Sequence, residues 1–195
     1  MKKAAVFMDG GHVRVLAKRA GHVYDPYYIE KIAAACVDQT QEDVLRVLYY
    51  DCAPYSGTVK QPVSGTQKIY TGNDLWLKKL AAKDLFAVRL GVLKFRGFRA
   101  KSIPLVPSKL TDADFDAVFE QKGVDMRIGL DIALYSAERL VDRIIAVTAD
   151  TDCIPAFKLA RKAGLQVVLV QLPGARIGTE ILAHVDMLRS IGWPP

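Results

Sequence analysis

The 195-residue sequence is short of cysteine, of glutamate and of long apolar runs, and each shortage excludes something. Its three cysteines, Cys36, Cys52 and Cys153, stand far apart, without a C-x-x-C pair or the Cys/His spacing of a zinc site. A disulfide framework and a structural zinc are therefore not expected, and a reduced, cytoplasmic protein is. The N-terminal MKKAAVFMDGG carries two lysines and a short apolar run, which Asp9 cuts well below a signal sequence or a membrane span. Neither export nor membrane insertion is expected. Around Gly10 and Gly11 there is no G-x-G-x-x-G and no G-x-x-x-x-G-K-[ST], so the dinucleotide and P-loop readings fall away. Internal repeats and low-complexity segments are absent too.

What is present is the composition of one domain, residues 1–195, with a full core: 51% hydrophobic and 25% charged residues. The net charge of +6 suits a polyanionic partner. Of the 21 acids, 16 are Asp and 5 are Glu, although Glu is the better helix former. Asp serves at caps, turns and metal sites, so its placement matters.

Apolar, β-branched runs alternate with helical patterns, as in βαβ units around a mostly parallel sheet. Strands are expected at Ala4 to Met8, Val44 to Tyr50, Phe86 to Phe95, Arg143 to Thr148 and Gln166 to Gln171. Helices are expected at 26–38, with Asp25 as N-cap and Pro26 at the first position, and at Asp74 to Lys83, Val124 to Ala137 and Ile154 to Ala163. Ala53 to Gly72 reads as a long loop, and Lys94 to Lys109 as a basic surface arm or hairpin. The segments Ile177 to Met187 and Ile191 to Pro195 either close the core or form a contact in a homo-oligomer.

Ligands of an open parallel sheet sit beyond the carboxyl ends of its strands. Asp9 follows the first strand at once, and Asp150 and Asp152 follow Arg143 to Thr148 in the same way. Asp125 opens a helix, with Asp131 six residues on and nearly on the same face. Each of these acids taken singly suits a helix cap, and Asp152 is a fair N-cap for the helix that follows it. Gathered together they would repel one another unless cations neutralised them, and hard oxygen ligands select Mg²⁺ or Mn²⁺.

The segments VFMDGGHV (6–13), KGVDMRIGLDIAL (122–134) and IIAVTADTDCIPAFKLARKAGLQVVLV (144–170) resemble the NYN domains of the PIN-like nuclease superfamily, in particular the LabA-like group. The family pattern has Asp after the first strand, a K-x-x-D helix start with a further Asp, and an S-x-D-x-D-F segment followed by A-R-x-x-G-x-x-V. The resemblance implies a PIN-like three-layer α/β sandwich, its mostly parallel central sheet flanked by helices. It implies catalytic, metal-holding acids at Asp9, Asp125, Asp150 and Asp152, with Asp131 an outer ligand or a structural partner. Lys122 matches the family Lys, which meets a phosphate or balances the acids. His12 stands where Asn is usual, Thr148 where Ser is, and Cys153 where Phe is. Thr148 keeps the hydroxyl; His12 is a substrate contact, a mark of drifted activity, or a solvent-facing side chain.

The function so implied is metal-dependent hydrolysis of RNA phosphodiesters, endonucleolytic rather than exonucleolytic, with Mg²⁺ or Mn²⁺ activating water. The alternative is a PIN-like module that binds RNA or a protein partner without cutting. Lys94, Arg96, Arg99 and Lys101 are the expected cationic rim that draws in the strand. Phe95 and Phe98 between them either stack on unpaired bases or pack inward. The D-x-D of Asp150-Thr151-Asp152 also occurs in haloacid-dehalogenase phosphatases, but there it belongs to the first strand.

Overall fold

Ala4, Val6 and Met8 point to one face of strand β1 (Lys2–Asp9) and Ala5 and Phe7 to the other, and all five are fully buried. A strand apolar on both faces needs a layer on each side, and the computed structural model, which describes residues 1–104 and 109–195, supplies both. The sheet has seven strands among the described residues: β1, β2 (Glu42–Cys52), β5 (Phe86–Ala100), β6 (Phe115–Lys122), β7 (Arg143–Val147), β8 (Gln166–Gln171) and β9 (Met187–Ser190). Their order is β6-β5-β2-β1-β7-β8-β9, parallel throughout except for the antiparallel β5–β6 pair. Two further strands, β3 (Gly57–Lys60) and β4 (Gln67–Tyr70), form a separate hairpin.

Helices α1 (Gly10–Arg19), α2 (Pro26–Ala35) and α3 (Leu75–Ala81) cover one face through Val13, Leu16, Ile29, Ile32, Leu77 and Leu80. Helices α4 (Val124–Ala137), α5 (Ile154–Lys162) and the single turn α6 (Thr179–Leu182) cover the other through Val124, Ile128, Ile132, Phe157 and Ile181. The result is a three-layer α/β sandwich with a mostly parallel sheet. No helix among the described residues is long and apolar enough to cross a membrane.

The order of strands locates the crevice. From β1 the chain winds outward through β2, β5 and β6, then α4 carries it to β7 on the opposite side of β1, and β8 and β9 follow. The winding reverses between β1 and β7, and beyond the carboxyl ends of strands at such a switch point the loops part and leave room for a ligand.

Four expectations change. Ala53 to Gly72 is no open loop: β3 and β4 pair within it, and Asp112 Oδ1 accepts the Val63 and Ser64 N–H groups at 2.9 and 3.2 Å. Tyr55 and Tyr70 at its base pack tilted and edge-on against Phe119, with centroids 5.2 and 5.5 Å away, so aromatic packing does the work that periodicity failed to signal. The basic arm is, through Ala100, the second half of β5; its partner β6 is the acidic stretch, with Lys94 opposite Glu120 and Arg99 opposite Asp116. Residues 105–108 of the arm lie outside the described residues. Helix α1 was not expected, because Gly10 and Gly11 open it. Last, Met187–Ser190 forms the edge strand β9, while Ile191 and Trp193 pack on the core beside it.

Candidate metal centre

Strand β1 delivers Asp9 to the switch point as the N-cap of α1, its Oδ1 accepting the His12 N–H at 3.1 Å. Gly10 is required there: a Cβ would lie 2.3 Å from the Tyr49 hydroxyl and 2.7 Å from the Tyr50 carbonyl oxygen. At the end of β7, the buried Thr148 Oγ1 accepts the Asp150 N–H at 3.1 Å, and Asp150 Oδ1 accepts the Asp152 N–H at 2.9 Å. These two bonds fold Thr151–Cys153 into a short 3-10 turn and set Asp150 and Asp152 side by side. Gly123, at φ 76° in the left-handed region, turns the chain into α4 and places Asp125 in the first turn.

Asp125, Asp150 and Asp152 thereby converge, each offering a carboxylate oxygen within 4.8 Å of the others. Asp9 lies outside this trio yet within its field. Burial pushes the Asp9 carboxyl up to about 6, against the His12 and Gly11 N–H groups that lower it, and Asp125 raises it further. Asp125 is raised by burial, then by Asp150 and Asp152. The Cys153 thiol is pushed up to about 12 by burial and then by Asp150, Asp125 and Asp9, so it stays protonated at neutral pH and is no nucleophile.

Among the described residues none of these four aspartates pairs with Lys or Arg, whereas other acids of the chain do. Asp131 is one of the latter. Its Oδ2 accepts the Tyr50 hydroxyl at 2.9 Å and pairs with Arg89 Nε at 3.2 Å, so it is the structural partner and not a member of the trio. Asp152 makes no cap bond either; the N-cap position of α5 is Cys153, and Asp150 caps the turn before it.

The other expected contacts are redistributed. Thr148 is 2% exposed, so its hydroxyl shapes the Asp150 turn instead of meeting substrate. Lys122 and Arg96 both pair with Glu120, and Lys101 lies 3.7 Å from Asp116; Lys94 and Arg99 are exposed on β5. Phe95 packs on Phe98, Phe119 and Tyr55, which resolves the aromatic choice in favour of packing. His12 is half-buried, not solvent-facing: its Nε2 is buried without a partner, and burial lowers its pKa and keeps it neutral.

Two further cations share a cavity with the acids. An open cavity of about 800 Å³ is lined by Asp9, His12 and Asp150 together with Arg19 and Arg176. Arg176 follows the carboxyl end of β8, so the rule that found Asp9 and Asp150 finds it as well; Arg19 was hidden with α1. That rule applied to β2 also finds Asp51. Asp51 is 1% exposed, pairs with Arg14, and accepts the Tyr49 hydroxyl at 3.0 Å, Gln121 Nε2 at 3.2 Å and the Cys52 N–H at 2.7 Å. Its bonds are filled, and it braces the floor beside Asp9.

No protein-family profile matches the chain, and no curated protein matches it in sequence. A crystal structure of a protein of unknown function from Vibrio parahaemolyticus is similar in fold, with a TM-score of 0.55 over 97% of this chain and 93% of that one, at 17% identity. The α/β architecture is thus found in an experimental structure.

Proposed function

We propose that this chain is a metal-dependent ribonuclease of the PIN-like kind, its catalytic centre formed by Asp125, Asp150 and Asp152 with Asp9 beside them. The observation that carries the reading is their convergence at the switch point without a single Lys or Arg partner among the described residues. Four uncompensated carboxylates, two with pKa values raised by burial and mutual repulsion, fit a divalent cation. The donor set is all carboxylate oxygen, which fits Mg²⁺ or Mn²⁺ and disfavours softer metals.

When bound, such an ion lowers the pKa of a coordinated water and stabilises charge on the phosphate oxygens. Asp125, Asp150 and Asp152 would hold it. Asp9 commits Oδ1 to the His12 N–H and stands beside them. Arg19 and Arg176 neutralise the approaching phosphodiester, which the carboxylates would otherwise repel. The resemblance to NYN domains supports RNA as the polyanion, and the buried, unpaired cysteines agree with a cytoplasmic protein.

The test is incubation of the purified protein with labelled single-stranded and structured RNA in Mn²⁺, Mg²⁺ or EDTA. Cleavage that needs the cation and is lost in Asp150→Asn is expected. Cleavage in EDTA, or cleavage that survives Asp150→Asn, overturns the reading. Binding without cleavage would establish the alternative of a non-cutting module, and turnover of a small chromogenic phosphoester alone would establish a phosphatase.

A further inference from the structure

Beside Asp9 a second cleft of about 310 Å³ opens between α1, α3 and the end of β2. Trp76, Tyr24, Arg14, Lys18, Asp51 and Gln121 line it. Gln121 Oε1 and Asp9 Oδ1 flank the same residue, lying 3.1 and 3.3 Å from where a Cβ on Gly11 would sit, so the cleft wall adjoins the first carboxylate.

The walls are fixed before any ligand arrives. Buried Asp51 holds both Arg14 and Gln121. The Tyr24 hydroxyl lies 3.2 Å from the Gly10 carbonyl oxygen and 2.8 Å from the Tyr49 hydroxyl, within hydrogen-bond reach of both. Trp76 is half-buried, with Tyr24 and Tyr49 set at steep angles to it and centroids 6.3 and 6.2 Å away. The carboxylate of Asp51 is saturated by its partners, so the groups left to meet a ligand are the remaining N–H donors of Arg14, the Gln121 carbonyl oxygen, the Lys18 ammonium and the indole.

We propose that this cleft binds one unpaired nucleobase of the strand presented to the carboxylates, stacked on Trp76. Size supports this: about 310 Å³ is at the small end of ligand pockets, roughly 300–1,000 Å³, which admits one base and no duplex. Chemistry supports it too. An aromatic surface accepts the face of a base, an amide and a guanidinium meet its polar edge, and exposed Lys18 meets the adjoining phosphate. The substrate preference that follows is single-stranded. This rests on the nuclease reading for its biological context, but the binding can be measured apart from cleavage.

The chain has two tryptophans, so Trp193→Phe leaves Trp76 as the only indole reporter. Titration in EDTA with nucleoside 5′-monophosphates should quench its fluorescence saturably, and ribose 5-phosphate, which lacks a base, should not. Phenylalanine amide, a peptide-like aromatic, should not either. Lys18→Ala should weaken nucleotide binding roughly fivefold and leave the free nucleoside unchanged. In the unsubstituted protein, nucleotide should shift the Trp76 indole N–H resonance and spare that of Trp193. Absent saturation, equal quenching by ribose 5-phosphate or phenylalanine amide, or an undisturbed Trp76 resonance overturns the proposal. Quenching without RNA cleavage would remove the nuclease and keep the cleft; cleavage without quenching would do the reverse.

Discussion

The Asp9 carboxylate accepts the His12 backbone N–H at 3.1 Å, so the side chain that starts α1 is also the one that feels Asp125 across the end of the sheet. Capping and ion binding are often treated as rival explanations of an aspartate. Here the cap bond occupies Oδ1, and the proposed place of Asp9 beside a cation is compatible with it.

A charge consequence follows for Asp9→Asn. Because burial raises the Asp9 pKa from 3.8 to about 6, the folded protein keeps a proton over that window which the unfolded chain has released. Without a divalent cation, stability therefore falls as pH rises through the window, by up to about 3 kcal/mol. Asparagine keeps the cap acceptor and carries no charge. In EDTA at pH 7, Asp9→Asn should melt at a higher temperature than the unsubstituted protein, and the gap should close towards pH 4. A lower melting temperature at pH 7 would contradict the electrostatics.

Gly10→Ala tests the packing under the same residue. Its Cβ would meet the Tyr49 hydroxyl at 2.3 Å and the Tyr50 carbonyl oxygen at 2.7 Å, and the backbone atom cannot swing aside. Forcing a methyl into such a site costs about 1–3 kcal/mol, measurable as a shifted denaturation midpoint. An unchanged midpoint would mean that Tyr49 and β2 give way freely.

At the opposite end of the sheet, Glu42 ties together the starts of β2 and β7 and strand β9. Its Oε1 pairs with Arg143 at 2.5 Å and Arg189 at 2.7 Å, and its Oε2 accepts the Asp38 N–H at 2.7 Å. Burial raises the Glu42 pKa, but the arginine bonds outweigh it and hold the group down at about 2, against 4.5 normally. The depressed pKa makes its contribution complete above pH 4.5 and lost as pH falls towards 2, on the order of 3 kcal/mol. Acid unfolding should be steep across that window, and Glu42→Gln should flatten it while lowering stability at pH 7.

In the proposed function Arg19 and Arg176, which share a cavity with Asp9 and Asp150, meet the RNA backbone. Removing either should weaken RNA binding in EDTA and reduce the slope of log affinity against log salt by roughly 0.7, the increment for one phosphate contact on a single strand. Lys94→Ala, on strand β5 opposite Glu120, should leave that slope unchanged. The reverse pattern would restore the rim read from sequence.

Legibility followed the physics of each segment. Strands buried on both faces, such as Ile144 to Val147, announce themselves as unbroken β-branched runs, and α2 carried both its cap and its proline. Helix α1 was obscured because two glycines open it, and their reason is tertiary: Tyr49 occupies the space of a side chain at Gly10. The β3–β4 hairpin and strand β6 lack an apolar alternation because they pack through Tyr55, Tyr70 and Phe119 and pair opposite charges across strands. At the site, strand ends located Asp9, Asp150 and Asp152 from sequence. What helical spacing could not show is that Tyr50 and Arg89 would engage Asp131, or that Glu120 would take both Lys122 and Arg96.

Asp125, Asp150 and Asp152 are proposed to hold one divalent cation next to Asp9. Diffraction from crystals soaked in Mn²⁺, collected at a wavelength where manganese scatters anomalously, locates the ion directly. An anomalous peak bonded to those three carboxylates and absent in Asp150→Asn crystals is expected. A peak elsewhere with the trio empty, or a peak that persists in Asp150→Asn, would contradict it.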